Sequence, residues 1–272
     1  MCVLGPSGRM GRAVLDAALG RSDVEIAAAV DRSDAHGIGA PVAAGVVAAT
    51  DIATGLAASD VYIDFTSPAG TRAVAEAAAR YRRAAVIGTT GLGAADQAVL
   101  DQLARVAPIV VAGNFSLGVN LLLGLVHQAA RALGPEWDAE VVETHHRAKR
   151  DAPSGTALMI AHAVAAGRGV DYDRVKRHTR DGDIGPRAPG EIGVSSIRGG
   201  DVIGEHTAYF FGGAERLEIS HRATSRAIFA VGALRAATWA VGQPPGRYDM
   251  LDVLGLSRGA VSPPVGVNTS GQ

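Results

Sequence analysis

The chain has 272 residues, 47% hydrophobic and 19% charged, a composition typical of a globular protein with one large domain or two moderate ones. Its net charge of −1 provides no basic field for a phosphate backbone, which argues against nucleic-acid binding. A single cysteine excludes an intrachain disulfide framework and a cysteine-based zinc site, and no apolar run reaches membrane-spanning length, so we expect a cytoplasmic protein with no membrane partner.

The chain opens on a predicted strand, a glycine-rich turn and a helix. Gly5, Gly8 and Gly11 lie three residues apart, a variant of the dinucleotide fingerprint in which the second glycine is displaced by one position. Such a turn presents backbone N–H groups and a helix N-terminus to a pyrophosphate. A second predicted strand ends at Asp31, where these folds place the carboxylate that binds ribose hydroxyls, and Arg32 could meet a 2′-phosphate. The alternative is that both residues simply begin a polar loop.

Three further apolar segments, 61–66, 84–87 and 108–112, each predict a strand that runs into a polar or glycine-bearing loop. Helices are predicted after the first two of them, over about 70–81 and 94–105. Alternation of strands and helices predicts a parallel sheet with helices on both faces, and thus an α/β, Rossmann-like domain. Ligands of such sheets bind beyond the carboxyl ends of the strands, the edge to which all of these loops belong.

The pattern changes after residue 120. A helix is predicted over 119–133 and a strand over 139–146, and strands near 193–197, 202–211 and 216–220 follow, joined by short glycine-bearing turns. Short turns favour antiparallel pairing, so a second, smaller α+β domain with an open mixed sheet is predicted. An open sheet face needs covering, which favours a homo-oligomer.

Two adjacent histidines end the predicted strand over 139–146. Because side chains alternate along a strand, His145 and His146 are expected to point to opposite sides and to have different roles. Lys149 follows closely, and it is one of two lysines in a chain whose other cations, apart from histidine, are arginines. An ammonium group can transfer a proton near neutrality and a guanidinium cannot, so Lys149 is a candidate acid. A metal site is the less favoured alternative, because no further ligand stands nearby at suitable spacing.

The segment with the histidines and Lys149 leads directly into a predicted helix. Ser154 is a suitable N-cap, and the backbone N–H groups of Gly155 and Thr156 lie in the first turn. This arrangement predicts a carboxylate-binding site that needs no arginine. The basic residues over 147–150 could form an ordinary solvated turn, but their position between the histidines and a helix N-cap favours a functional role.

The chain as a whole resembles the dihydrodipicolinate reductases, the nicotinamide-dependent reductases of the diaminopimelate route to lysine. The resemblance covers nearly all of the chain from Val3 to Leu256, and the histidine-to-threonine stretch is its most specific part. The matching stretches are GPSGRMG (5–11), DFT (64–66), GTTG (88–91), NFSLGVN (114–120), HHRAKRDAPSGT (145–156) and RGGDVIGEH (198–206).

The resemblance implies a discontinuous dinucleotide-binding domain, 1–116 with 222–256, because the last long helix returns to it. It implies that 117–221 form a substrate-binding and tetramerisation domain, and that the protein is a homotetramer. The stretch 257–272 lies beyond the usual end of the family and is predicted to be a disordered tail.

The resemblance also implies the reaction and the residues that perform it. NADH or NADPH reduces a cyclic imine dicarboxylate, or its 4-hydroxylated hydrate, to tetrahydrodipicolinate. His145 is implied as proton donor and acceptor and Lys149 as proton donor, with substrate bound by His146, Gly155 and Thr156. The residues implied to bind the dinucleotide are Gly5, Pro6, Ser7, Gly8, Arg9, Met10, Asp31, Arg32, Gly88, Thr89, Thr90, Ala112, Gly113, Asn114 and Phe115.

Two alternatives to this reading remain open. One is a paralogous reductase that acts on another cyclic imine carboxylate in secondary metabolism, and the other is a nucleotide-binding sensor without turnover. The presence of both His145 and Lys149 argues against the sensor, which needs no proton donor. Asp31 stands where family members often carry glutamate, and it repels the 2′-phosphate that Arg32 attracts, so the preference between NADH and NADPH is not predicted.

Overall fold

The computed structural model describes residues 1–256, and the predicted tail, 257–272, lies outside the described residues. The described chain divides into two compact units. Unit 1 comprises Met1–Leu117 and Arg226–Gly255, and unit 2 comprises Gly118–Ser225 with Leu256. Among the described residues, no helix combines the length and the apolar character needed to cross a membrane.

Unit 1 alternates short strands with helices, and three of the helices begin at a side chain that caps them. Asp51, Ser67 and Asp249 each accept a hydrogen bond from a backbone N–H in the first turn of the following helix. The elements are β1 (Cys2–Leu4), α1 (Arg9–Ala18), β2 (Ala28–Val30), β3 (Pro41–Ala43), β4 (Val46–Ala49), α2 (Ile52–Ala57), β5 (Val61–Asp64), α3 (Pro68–Tyr81), β6 (Ala84–Ile87), α4 (Ala94–Ala104), β7 (Pro108–Val111), α8 (Ala227–Ala240), β13 (Gly246–Tyr248) and α9 (Met250–Leu254).

Eight strands of the described chain form one sheet in unit 1, in the order β13-β7-β6-β5-β1-β2-β4-β3, with parallel pairing throughout except between β3 and β4. Successive residues of a strand point to opposite faces. Ile63 therefore packs in a core with α1 and α8, whereas Tyr62 packs in a second core with α2, α3 and α4. Helices thus cover both faces, which confirms the predicted Rossmann-like α/β class.

Unit 2 holds a mixed sheet, as predicted. Within the described residues its five strands lie in the order β12-β11-β8-β10-β9; β8 and β9 pair with β10 in parallel, and β11 pairs antiparallel with both β8 and β12. The elements are α5 (Leu117–Leu133), β8 (Asp138–His145), α6 (Gly155–Arg168), α7 (Tyr172–Val175), β9 (Lys176–Arg177), β10 (Ile192–Arg198), β11 (Gly204–Phe211) and β12 (Arg216–Ala223).

The two faces of the unit 2 sheet differ in what they contact. One face forms a core with α5 and α6, through residues such as Val126, Val141 and Ile160. The other face carries the exposed side chains of Ile197 and Phe211. A patch of apolar residues of this kind is typical of a surface that another chain covers.

The second face of this sheet also carries an ion-pair cluster. Arg180 donates two hydrogen bonds to the Glu140 carboxylate, at 2.9 and 2.7 Å. Arg187 donates to the same carboxylate at 3.1 Å and to Asp138 at 2.6 Å. These contacts fix the segment between β9 and β10 to the start of β8.

Candidate active site

The residues predicted to bind a dinucleotide all lie at one edge of the unit 1 sheet. The segment 5–10 follows β1, Asp31 follows β2, 88–90 follow β6 and 112–115 follow β7. Because these four strands run parallel in one sheet, their carboxyl ends meet at the same edge. The structure therefore brings this predicted set together, while its binding role stays a prediction.

The glycine turn after β1 is shaped by backbone contacts. Gly5 has a φ of +63°, and its carbonyl oxygen accepts a hydrogen bond of 2.9 Å from the Gly8 N–H. A Cβ on Gly11 would lie 2.0 Å from that same oxygen, so a side chain there would displace the turn. The N-cap of α1 is Gly8, which offers no side chain to the first turn. The turn and the helix start thus have the bare backbone that a pyrophosphate site needs.

Asp31 is joined to the glycine turn. Its Oδ2 accepts a hydrogen bond from the Ser7 N–H at 3.1 Å, and its Oδ1 accepts one from the Arg32 N–H at 2.9 Å. The Arg32 guanidinium lies 3.0 Å from Asp34 in a solvent-exposed pair, which contributes little to stability. The Asp31 carboxylate therefore lies beside the turn, where it could accept hydrogen bonds from a ribose.

A buried network that the sequence did not reveal supports the loops after β5 and β6. Asp64 is fully buried, and its Oδ1 accepts hydrogen bonds from the Thr66 N–H at 2.8 Å and from the Thr89 hydroxyl at 3.3 Å. The Thr71 hydroxyl donates to the Thr89 oxygen at 2.8 Å. The Thr89 side chain is thus engaged inside the protein, and it positions the 88–90 loop.

Phe115, another residue predicted to bind the dinucleotide, has a buried side chain. Its ring packs edge-on against Phe65 with the centroids 5.5 Å apart. A Cβ on Gly232 of α8 would lie 1.7 Å from the Phe115 carbonyl oxygen, so glycine is needed for this close approach. The side chain of Phe115 belongs to the core, and its backbone is the part left to contact a ligand.

In unit 2, the predicted proton donor His145 belongs to a buried polar cluster. Alternate residues of β8 are buried, which places Glu143 and His145 on the same face as the core. The His145 Nδ1 lies 2.5 Å from Glu143 Oε2. Arg198, at the end of β10, donates to Glu143 Oε2 at 2.8 Å and to Oε1 at 2.7 Å. Glu143 and Arg198 were not predicted as site residues.

The helix that follows is tied to this cluster through its N-cap. The Ser154 N–H donates to Glu143 Oε1 at 3.2 Å, and the Ser154 hydroxyl accepts from the Ala157 N–H at 3.1 Å. The same hydroxyl lies 3.0 Å from His206 Nε2. Gly155 and Thr156 then form the first turn of α6, as predicted from the sequence.

Lys149 and His146 lie in the turn between β8 and α6. The Lys149 N–H donates to the His146 carbonyl at 3.1 Å, and the Lys149 ammonium lies 2.9 Å from Asp151 Oδ1 as an ion pair. The Asp151 carbonyl accepts a hydrogen bond of 2.7 Å from Arg198. Arg198 thus connects the strand that bears His145 with the turn that bears Lys149. Because β8 ends at His145, His146 is already outside the strand and is half-buried.

Two shifted pKa values mark the electrostatics of the cluster. Burial raises the pKa of Glu143, but hydrogen bonds from His145 and Arg198 outweigh it and lower the pKa from 4.5 to about 2. Burial, together with the smaller effect of the nearby His145, lowers the pKa of His206 from 6.5 to about 3. Near neutral pH Glu143 is therefore charged, and His206 is neutral.

His206 ends the last of the matching stretches but was not predicted as a site residue. It is buried on β11, and its ring meets that of His145 edge-on with the centroids 5.1 Å apart. The register of β11 with β8 pairs His206 with Glu143 and thereby determines its position. This register cannot be derived from the sequence. Among the described residues, no group of three or more metal-ligating side chains is placed to hold a metal ion.

Similar proteins cover both units. Residues 1–115 match the family model for the N-terminus of dihydrodipicolinate reductase, and residues 118–254 match the model for its C-terminus. A 4-hydroxy-tetrahydrodipicolinate reductase from Cereibacter sphaeroides is 49% identical over 261 residues, which is 93% of this chain and 97% of the relative. One from Methylocella silvestris is 49% identical over 263 residues, with 94% and 97% covered. A dipicolinate-bound dihydrodipicolinate reductase from Paenisporosarcina sp. TG-14 has the same fold, with a TM-score of 0.75 at 24% identity over 92% of this chain and 97% of that one.

The buried state of His206 predicts a loss of stability in mild acid. The unfolded chain takes up a proton on this ring below pH 6.5, whereas the folded protein does so only near pH 3. The free energy of unfolding should therefore fall by about 1.4 kcal/mol for each pH unit below 6.5. Urea unfolding of His206→Gln, measured at several pH values, should show a weaker pH dependence than that of the wild type.

The exposed His36 provides the matched control for this experiment. His36→Gln should keep the pH dependence of the wild type. An unchanged slope in His206→Gln would show that the His206 ring is not the group responsible.

Proposed function

The chain belongs to the dihydrodipicolinate reductase family, and from this membership we propose that it reduces 4-hydroxy-tetrahydrodipicolinate, or the dihydrodipicolinate formed from it, to tetrahydrodipicolinate in lysine biosynthesis. The enzyme is an oxidoreductase that takes its hydride from NADH or NADPH. The observation that carries the proposal is the cluster of unit 2, where His145, Lys149 and the start of α6 are joined through Glu143 and Arg198.

Unit 1 is the proposed site of the dinucleotide. The bare backbone of the glycine turn and the start of α1 suit a pyrophosphate, and the Asp31 carboxylate suits the ribose hydroxyls. The loops 88–90 and 112–115 would border the remainder of the molecule. When bound, the reduced nicotinamide supplies the hydride, and the protein supplies orientation and charge.

Unit 2 is the proposed site of the substrate, which carries two carboxylates. The backbone of Gly155 and Thr156 in the first turn of α6 would bind one carboxylate, because a helix N-terminus favours negative charge. His146 would contribute a further donor, and the Lys149 ammonium would attract the dianion. Binding at fixed donors holds the substrate in one orientation, which lowers the barrier to reaction.

Reduction of a conjugated imine leaves negative charge on the substrate, and a proton must neutralise it. A positioned acid therefore accelerates the step. Lys149 is the proposed donor of this proton, because its ammonium group is nearly buried beside Asp151. His145 is the proposed second group, which donates or accepts a proton at the ring nitrogen that Glu143 does not bind.

We further propose a cytoplasmic homotetramer in which another subunit covers the open face of the unit 2 sheet. The exposed Ile197 and Phe211 on that face support an interface there. The stacked pair of Tyr209 and Phe211, with ring centroids 5.7 Å apart, would extend the same apolar surface. Light scattering on the purified protein measures the assembly directly.

An absorbance assay tests the proposed activity. Purified protein is mixed with NADPH or NADH and freshly generated dihydrodipicolinate, and loss of nicotinamide absorbance is followed. Rapid oxidation supports the proposal. Turnover only with another cyclic imine carboxylate would favour the paralogous reductase, and nucleotide binding without any oxidation would favour the sensor.

Lys149→Ala should lower kcat by about 10²-fold or more, the usual contribution of a general acid, and leave nucleotide affinity unchanged. The matched control is the other lysine of the chain, Lys176. Its ammonium group lies 2.6 Å from Asp173 Oδ1, and this pair does not belong to the cluster. Lys176→Ala should behave as the wild type in the same assay. Full turnover by Lys149→Ala would remove this residue from the mechanism.

Asp31→Ala should weaken the binding of NADH, because the variant loses the carboxylate proposed to bind the adenosine ribose. Titration by nucleotide fluorescence measures the dissociation constants of both coenzymes. Asp34→Ala, which removes a neighbouring exposed carboxylate, is the control and should change NADH binding less. Equal affinities of Asp31→Ala and the wild type for both coenzymes would contradict the assignment.

A further inference from the structure

We propose that Glu143 and Arg198 form a positioning pair that fixes the hydrogen-bonding pattern of the His145 ring, so that Nδ1 always carries hydrogen and Nε2 is the atom that exchanges a proton with the substrate. The inference rests on the proposed function for its substrate. The hydrogen-bonding pattern of the His145 ring does not itself depend on that function. Neither residue of the pair is expected to touch the substrate.

The first step of the argument is the state of Nδ1. It lies 2.5 Å from Glu143 Oε2, so one of the two atoms must carry a hydrogen. The low pKa of Glu143, about 2, keeps the carboxylate charged, and a charged carboxylate only accepts hydrogen bonds. The hydrogen therefore belongs to Nδ1, whether the ring is neutral or protonated.

The second step is the rigidity of the carboxylate. Oε1 accepts from Arg198 and from the Ser154 N–H, while Oε2 accepts from Arg198 and faces His145. The Ser196 side chain donates a further hydrogen bond to this carboxylate, so donors fill the acceptor positions that a carboxylate offers. Arg198 is itself held by the carbonyl groups of Ile197 and Asp151, each at 2.7 Å. The carboxylate cannot rotate away from the ring without breaking several charge-assisted bonds.

The third step is the space around the ring. His206 packs edge-on against it, which limits rotation of the imidazole. Gly204 lies next to the other nitrogen, and a Cβ on this residue would be 3.0 Å from Nε2 and 3.4 Å from Cδ2. Because residue 204 is a glycine, no side chain from this position lies beside Nε2.

The charged and titratable groups around His145 come from four elements. Glu143 lies on β8, Arg198 on β10 and His206 on β11, and Lys149 with Asp151 lies in the turn before α6. The lowered pKa of His206 keeps that ring neutral near pH 7. The charged group in contact with His145 is the Glu143 carboxylate. A change at Glu143 should therefore alter the surroundings of the His145 ring more than a change at His206 does.

A purely structural role is the alternative, in which Glu143 and Arg198 only fasten β8 to β10. Glu140 allows the two roles to be separated. It lies on the same strand, three residues before Glu143, and also binds two arginines, Arg180 and Arg187. Its contacts are on the other face of the sheet and include none of the predicted site residues.

The decisive variant is Glu143→Gln, in which the amide oxygen is expected at the Oε1 position, where Arg198 and the Ser154 N–H both donate, so that the amide NH2 faces Nδ1. That arrangement favours hydrogen on Nε2, the wrong pattern for the proposed exchange. Where a carboxylate orients a catalytic histidine, its amide variant loses up to ~10⁴-fold in kcat, so we expect a loss of at least ~10²-fold here. The KM for the coenzyme should not change, and the alkaline limb of the pH–rate profile should move to lower pH.

Glu140→Gln is the control and should keep the kcat and the pH–rate profile of the wild type. Gly204→Ala is a second test, because it changes neither Glu143 nor Arg198 and places a methyl group 3.0 Å from Nε2. It should lower kcat without changing coenzyme KM. A normal kcat and pH–rate profile in Glu143→Gln would overturn the inference.

The ring nitrogens can also be observed directly in the wild type, without any variant. Solid-state ¹⁵N spectra of histidine-labelled protein, with His145 assigned by difference from His145→Gln, should show a protonated Nδ1 and a bare Nε2 when the ring is neutral. Hydrogen on Nε2 instead would overturn the inference. Failure of the wild type to oxidise either coenzyme would overturn the proposed function, while the spectra would still decide the state of the ring.

Discussion

The predicted substrate site depends on one buried charge, the carboxylate of Glu143. Moving a carboxylate out of water costs several kcal/mol, and the charge is tolerated only where donors surround it. Here the donors come from the end of β10, from the end of β8 and from the first residue before α6, through Arg198, His145 and Ser154. Satisfying the carboxylate fixes these three chain segments together. The turn that carries Lys149 is thereby held at both ends.

The two proposed binding regions use different parts of the polypeptide. The edge of the unit 1 sheet presents backbone, and its glycines are required because a Cβ on Gly11 or Gly88 would lie 2.0 Å from a neighbouring atom. The cluster in unit 2 presents side chains that are locked by other side chains. The difference follows from the ligands: a pyrophosphate is bound well by repeated N–H groups, whereas a proton transfer needs a particular titratable atom at a particular place.

Local patterns predicted much of this molecule. The alternation of strands and helices indicated the parallel sheet, and Ser154 with Gly155 indicated the start of α6. The strand β13 and the pairing of β3 with β4 were not predicted, because 246–248 contain no apolar run and 41–49 lie in a stretch rich in small residues. Glu143 stood beside the histidines in the sequence, but its partner Arg198 is 55 residues away, and only the parallel register of β8 with β10 brings them together. Phe115 was predicted from its place in a family motif, but a motif does not tell whether the side chain at that place is buried.

The return of the chain to unit 1 has a consequence for synthesis on the ribosome. Apart from Leu256, unit 2 is continuous in sequence, so all of its strands have been synthesised once residue 225 has been added. Unit 1 is completed later, because α8 supplies Ala230 and Leu234 to the core on one face of its sheet. In addition, β13 pairs with β7 at the edge of that sheet. Until then the part of this sheet face that α8 covers in the finished unit stays exposed. The unit that is begun first is thus the unit that is completed last.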